Sequence, residues 1–64
     1  MNITVNGTAR QIEGHTLAEL LVECGFAGRF ATAVNEEFVA VADRETCALT
    51  EGDRIEVLGA MQGG

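Results

Sequence analysis

The sequence predicts an α+β fold, a mixed sheet of four or five strands packed on one main helix. Three observations carry this expectation. Residues 2–6 and 54–58 alternate polar and apolar side chains, the period-two pattern of half-buried strands. Asn6-Gly7 follows the first of these runs, and a two-residue hairpin turn needs positive φ at both positions, which Asn and Gly tolerate best. Between the two runs, Leu17, Leu20, Leu21 and Cys24 fall at i, i+3, i+4 and i+7, a single apolar stripe of helical period.

Taken in order, residues 2–6 form the first strand and residues 8–12 return as the second. Gly14-His15 breaks the pattern. Thr16 then stands as a helix N-cap with Glu19 three residues on, a capping box. Glu19 and Glu23 lie opposite the apolar stripe, and Gly25 stops the helix. Two to three turns are too short to hold alone, so the helix must pack across the sheet. Residues 31–35 read as a third strand, 35–37 as a turn, and 38–41 as a short fourth strand. Residues 43–50 read as irregular. Glu51-Gly52-Asp53 forms a tight turn into the last strand.

Crossover rules allow the first and last strands to lie parallel and adjacent in the centre of the sheet. That arrangement is a β-grasp. Its expected core is Ile3, Val5, Ile12, Leu17, Leu20, Leu21, Val34, Leu49, Ile55 and Val57, plus one of the phenylalanines. Residues 1–59 form the domain on this reading, and residues 60–64 form a flexible C-terminal tail.

Sixty-four residues allow one domain, with no room for both a core and an enclosed catalytic pocket. Ten acids against four arginines give a net charge of −6, which argues against nucleic acid and anionic membranes. An acidic module fits basic protein partners instead. With no apolar run of spanning length and no leader pattern, the expected location is cytoplasmic. Cys24 and Cys47 show no CxxC spacing and, with His15, fall short of a zinc ligand set. They read as free thiols acting as small hydrophobes. His15 reads as a turn residue, Glu36-Glu37 as a solvated turn, and the four arginines as surface residues. The chain has no lysine.

The chain ends on Gly63-Gly64. A terminal glycine is the least hindered carboxylate a protein can present, and it can enter a narrow site as an extended tail. That suits a protein whose own C-terminus reacts. With the Met-x-Ile-x-Val-Asn-Gly start, Thr16-Leu17-x-x-Leu20-Leu21, Ala33-Val34-Asn35 and Leu49-x-x-Gly52-Asp53-x-Ile55-Glu56, the whole chain resembles the small ubiquitin-like sulfur carriers of bacteria. Its nearest likeness is to the thiamine-biosynthesis (ThiS-type) branch.

The resemblance implies that the Gly64 carboxylate is adenylated by a ubiquitin-activating-type adenylyltransferase (ThiF type) using ATP and Mg. A cysteine desulfurase or other persulfide donor then supplies sulfur. The resulting thiocarboxylate passes its sulfur to thiazole synthase (ThiG type). The carrier itself binds no cofactor and catalyses nothing. Gly63 gives the tail access, and the sheet face away from the helix would recognise partners, with Leu58, Met61 and Arg54 as docking residues. The alternatives are a thiocarboxylate carrier for another product (molybdopterin, cysteine or a secondary metabolite), a non-reactive β-grasp interaction module, and a small redox protein using Cys24 and Cys47.

Overall fold

Strand β1 (Asn2–Val5) turns through Asn6 and Gly7 into β2 (Thr8–Gln11) in the computed structural model, which describes residues 1–59. Val5 pairs with Thr8, leaving a two-residue loop with φ of 50° at Asn6 and 82° at Gly7. This is the expected primed turn.

Helix α1 (Leu17–Glu23) begins at Thr16, whose Oγ1 accepts from the Glu19 N–H at 3.2 Å, while Glu19 accepts from the Thr16 N–H at 3.2 Å. The reciprocal pair satisfies donors that a helix start leaves open. The Glu19 carboxylate also accepts from the His15 N–H, and these backbone bonds lower its pKa. At the other end Gly25 and Phe26 donate to Val22 and Leu21, closing the helix in a Schellman motif. Glu23 is exposed, opposite the apolar stripe as expected, and also accepts from the Glu13 and Gly14 N–H groups, tying the helix to the preceding loop.

Strand β3 (Ala31–Val34) pairs with β4 (Glu37–Val39). The fourth strand starts earlier than expected because the turn is only Asn35-Glu36, with φ of 51° and 72°. A second primed turn therefore forms without a glycine. Val41, expected to end the fourth strand, instead begins a 3₁₀ segment (Val41–Thr46) that takes in the first part of the stretch 43–50 expected to be irregular, and Ala48 then bridges to Thr16. Strand β5 (Arg54–Leu58) enters last and completes a five-stranded sheet of order β2-β1-β5-β3-β4. It runs parallel to β1 and antiparallel to β3, the central pairing of a β-grasp.

The core contains Ile3, Val5, Ile12, Leu17, Leu20, Leu21, Leu49, Ile55 and Val57. Two expectations need correction. Val34 is only half-buried, because it lies beside the exposed Asn35-Glu36 turn. No phenylalanine is in the core: Phe26 and Phe30 pack on its margin, and Phe38 is 72% exposed. Within β3 the buried residue is Thr32, whose hydroxyl donates to the Val39 carbonyl at 2.8 Å.

Arg44 is likewise not a free surface residue. Its Nε donates to Thr32 Oγ1 at 3.1 Å and a terminal nitrogen to the Phe30 carbonyl at 2.7 Å. The guanidinium carbon lies 4.7 Å from the Phe30 ring centroid, within cation–π range.

Candidate functional site

Strand β5 leads into the C-terminal residues, so the candidate site is built around its far end. Alternation along β5 buries Ile55 and Val57 and turns Arg54, Glu56 and Leu58 to the face away from the helix. Cross-strand neighbours share a face. Leu58 therefore stands opposite Ala31, and Glu56 opposite Ala33, which in turn pairs with Phe38. Leu58 is 60% exposed. The open face near the end of β5 thus carries Leu58, Ala31, Ala33 and Phe38, with the acidic Glu56 among them.

The two hairpin asparagines hold β5 from opposite sides. Asn35 lies at its start: the Asn35 N–H donates to the Arg54 carbonyl at 2.7 Å, and the Arg54 N–H donates to Asn35 Oδ1 at 2.9 Å. Asn6 lies near its end: the Asn6 N–H donates to the Ile55 carbonyl at 2.9 Å, and the Val57 N–H donates to Asn6 Oδ1 at 2.9 Å. Asn6 Nδ2 also donates to the Val57 carbonyl at 3.2 Å. Each asparagine sits at positive φ, the conformation its short amide tolerates best after glycine.

Asp53 anchors the turn before β5. Its carboxylate accepts from the Thr50 N–H at 2.8 Å, the Thr50 hydroxyl at 3.1 Å and Asn35 Nδ2 at 3.0 Å. Burial alone would raise its pKa, but these bonds outweigh burial and the net shift is downward. Beyond β5, Gly59 adopts φ of 152°, and a Cβ there would come within 2.6 Å of Phe30 Cα. A glycine at this point lets the chain pass directly over the Phe30 backbone.

The predicted site residues divide accordingly. Leu58 and Arg54 lie on the open face as expected. Arg54 already faces Glu36, at 3.9 Å and with both side chains exposed, a pair of little energetic weight. Met61, Gly63 and Gly64 lie outside the described residues. Phe38 was missed: a lone aromatic in a short strand reads as core, and only the register shows it opposite Ala33. Asn6 was read only as a turn residue, because its long-range bonds to Val57 depend on pairing 51 residues away in sequence.

The cysteines are half-buried and packed against the core. Burial, with the charges of Asp53 and Asp43, raises the Cys47 pKa, which keeps the thiol protonated and weakens it as a nucleophile. His15 is tied into its turn through its backbone, the carbonyl accepting from Leu49 at 2.9 Å. Among the described residues no cluster of His, Cys, Asp or Glu could hold a metal ion, and no helix is long and apolar enough to cross a membrane.

Comparison with known proteins matches the model of the ThiS family to residues 3–64. The sulfur carrier protein ThiS of Thermus thermophilus is 38% identical over 63 residues, covering 97% of this chain and 98% of that protein. A crystal structure of a thiamine biosynthesis protein (ThiS) from Geobacter metallireducens superposes with a TM-score of 0.83 at 29% identity, all of each chain being covered. A solution structure of a thiamine biosynthesis protein from the same organism gives a TM-score of 0.78 at 29% identity, covering 100% of this chain and 88% of that one.

Proposed function

Because the chain belongs to the ThiS family, we propose that it is a sulfur carrier of thiamine biosynthesis whose reacting group is its own C-terminal carboxylate. One observation carries this reading: the family match runs through both glycines to Gly64. The crystal structure of ThiS from Geobacter metallireducens has the same fold, with a TM-score of 0.83.

The Gly64 carboxylate, with a reference pKa of roughly 3.5, is ionised and unreactive at neutral pH. An activating enzyme of the ThiF type, using ATP and Mg, would let one carboxylate oxygen attack the α-phosphate and release pyrophosphate. The acyl-adenylate so formed is open to a persulfide from a cysteine desulfurase or similar donor. The outer sulfur bonds to the acyl carbon and AMP leaves. A second thiol then takes the inner sulfur into a disulfide, leaving the thiocarboxylate. Thiazole synthase (ThiG type) would accept that sulfur. The carrier binds no cofactor and performs no catalysis in this scheme, and it works in the cytoplasm, where ATP is at hand.

Residues 60–64 form the reactive tail, with Gly63 leaving room for a tight channel. The open sheet face provides docking through Leu58, Phe38 and Arg54, and Met61, which lies outside the described residues, is a further docking residue on this reading. Its acidic setting suits a partner with a basic rim, since opposite charge speeds encounter.

The test is the intact mass of the protein after incubation with ATP, Mg, a sulfur source and a competent activating enzyme, with fragmentation to locate any change. Exchange of one oxygen for sulfur at Gly64, absent when Gly64 is deleted, is the expected result. An unchanged Gly64, with an enzyme active on another carrier, overturns the reading and leaves an interaction module.

A further inference from the structure

We propose that Asn6-Gly7 is a spontaneous modification site that the fold holds shut: a chain whose first turn opens loses the Asn6 amide as ammonia and is permanently marked. The site lies outside the residues assigned to the carrier chemistry and does not depend on that reading.

The chemistry needs only water. The Gly7 backbone nitrogen bonds to Asn6 Cγ and gives up its proton, while the Cγ–Nδ2 bond breaks and Nδ2 leaves as ammonia. The product is a five-membered succinimide. Water then opens the ring at Cγ, giving aspartate, or at the main-chain carbonyl, giving isoaspartate with the chain rerouted through the side chain. Of the three asparagines, Asn2 precedes Ile3 and Asn35 precedes Glu36. Only Asn6 is followed by glycine, whose nitrogen has no side chain beside it.

Both residues are exposed, so burial does not protect them. Conformation does. The ring contains the Cα–C bond of Asn6, and closing it requires the Gly7 nitrogen to eclipse Asn6 Cβ. Asn6 instead has φ of 50°, and the left-handed region pairs such a φ with ψ of about +30 to +60°. That places the Gly7 nitrogen nearly trans to Cβ. Pairing of Val5 with Thr8 on either side of the turn holds this arrangement. Strand β5 adds a second hold. The Asn6 N–H donates to the Ile55 carbonyl at 2.9 Å, Oδ1 accepts from the Val57 N–H at 2.9 Å, and Nδ2 donates to the Val57 carbonyl at 3.2 Å. The amide is thus bound to Val57 while the nitrogen that would attack it is turned away.

The products do not fit the same place. Aspartate lacks the donor for the Val57 carbonyl and sets a carboxylate against it. Isoaspartate adds a backbone atom to a two-residue turn and displaces the register of β1 on β2. A chain modified while open therefore returns to a weaker fold.

Peptide mapping by mass spectrometry tests this on the full chain, held at mildly alkaline pH with and without denaturing urea. In urea, Asn6 should convert to aspartate and isoaspartate at least about tenfold faster than Asn35, because only Gly7 leaves its nitrogen unhindered. In native buffer the conversion should be at least about tenfold slower than in urea, since it waits on opening. As urea is raised, the rate should follow the open fraction. Gly7→Ala, read in urea where turn strain plays no part, should slow the conversion. Asn6→Asp, which carries one product, should show a lower urea midpoint than wild type. An Asn6 rate in urea within about tenfold of the Asn35 rate removes the site. A native rate within about tenfold of the rate in urea overturns the closure. An unchanged midpoint for Asn6→Asp would overturn the weakening assigned to the aspartate product.

Discussion

Replacing Glu36 with glycine should stabilise the protein, and replacing Gly7 with alanine should destabilise it. The two positions are equivalent: each is the second residue of a two-residue turn led by asparagine, with φ of 72° at Glu36 and 82° at Gly7. A side chain in this left-handed region costs about 1–2 kcal/mol relative to a relaxed conformation. Glycine escapes that cost but gives up about 0.4–1 kcal/mol through its freer unfolded chain. Glu36 also loses its 3.9 Å pairing with Arg54, but the two side chains are 80% and 59% exposed, so the loss is at most a few tenths of a kcal/mol. Glu36→Gly should therefore gain about 0.5 kcal/mol or slightly more, a rise in Tm of about 2–4 °C. A Cβ at Gly7 meets nothing within 4 Å, so Gly7→Ala isolates backbone strain. It should lose about 0.5–1 kcal/mol. Urea titration is the assay, with the midpoint read at unchanged m-value. A lower midpoint for Glu36→Gly at the same m-value would refute the strain argument.

Three further outcomes are expected. Asp53, held ionised by its hydrogen bonds, has a folded pKa below its unfolded value, so its contribution is present above about pH 4 and is lost as the pH falls through the folded pKa. The urea midpoint should drop on that acid limb, and Asp53→Asn should be less stable at pH 7 with a shallower acid limb; parallel limbs would contradict the assignment. Thr32→Val leaves the Val39 carbonyl and the Arg44 Nε without their partner, at a cost of about 1–3 kcal/mol by urea titration; a neutral change would mean that water replaces the hydroxyl. Phe38→Ser and Leu58→Ser should each raise KM for the activating enzyme with Tm nearly unchanged, since both side chains are exposed; unaltered KM in both would remove the open face as a docking surface.

The parts legible in the sequence were those set by neighbours. Asn6-Gly7, the Thr16–Glu19 capping box and the stripe through Leu20 rest on local rules, and each is found in place. The central pairing of β1 with β5 was reachable because alternation and crossover handedness leave few alternatives. The Asn35-Glu36 turn was blurred because its second position carries an acid where glycine is usual. The place of Arg44 was hidden: its partners, Phe30 and Thr32, lie more than ten residues away, and an arginine in a polar stretch gives no sign of them. Of the candidate site, the exposed place of Leu58 at the end of the last strand was legible from alternation, while Gly63 and Gly64 lie outside the described residues. Phe38 was not legible, since exposure of an aromatic on a three-residue edge strand depends on register alone.

The placement of β5 has a bearing on biosynthesis. The segment that leads into the tail is also the one that joins the two hairpins, pairing with β1 across some fifty residues of chain. Such distant pairing closes late in folding. A ribosome that stalls before this segment, or a protease that cuts within it, leaves a sheet split into two hairpins that are marginal on their own. On the carrier function proposed above, only a chain folded through β5 would offer its C-terminal residues from a complete sheet.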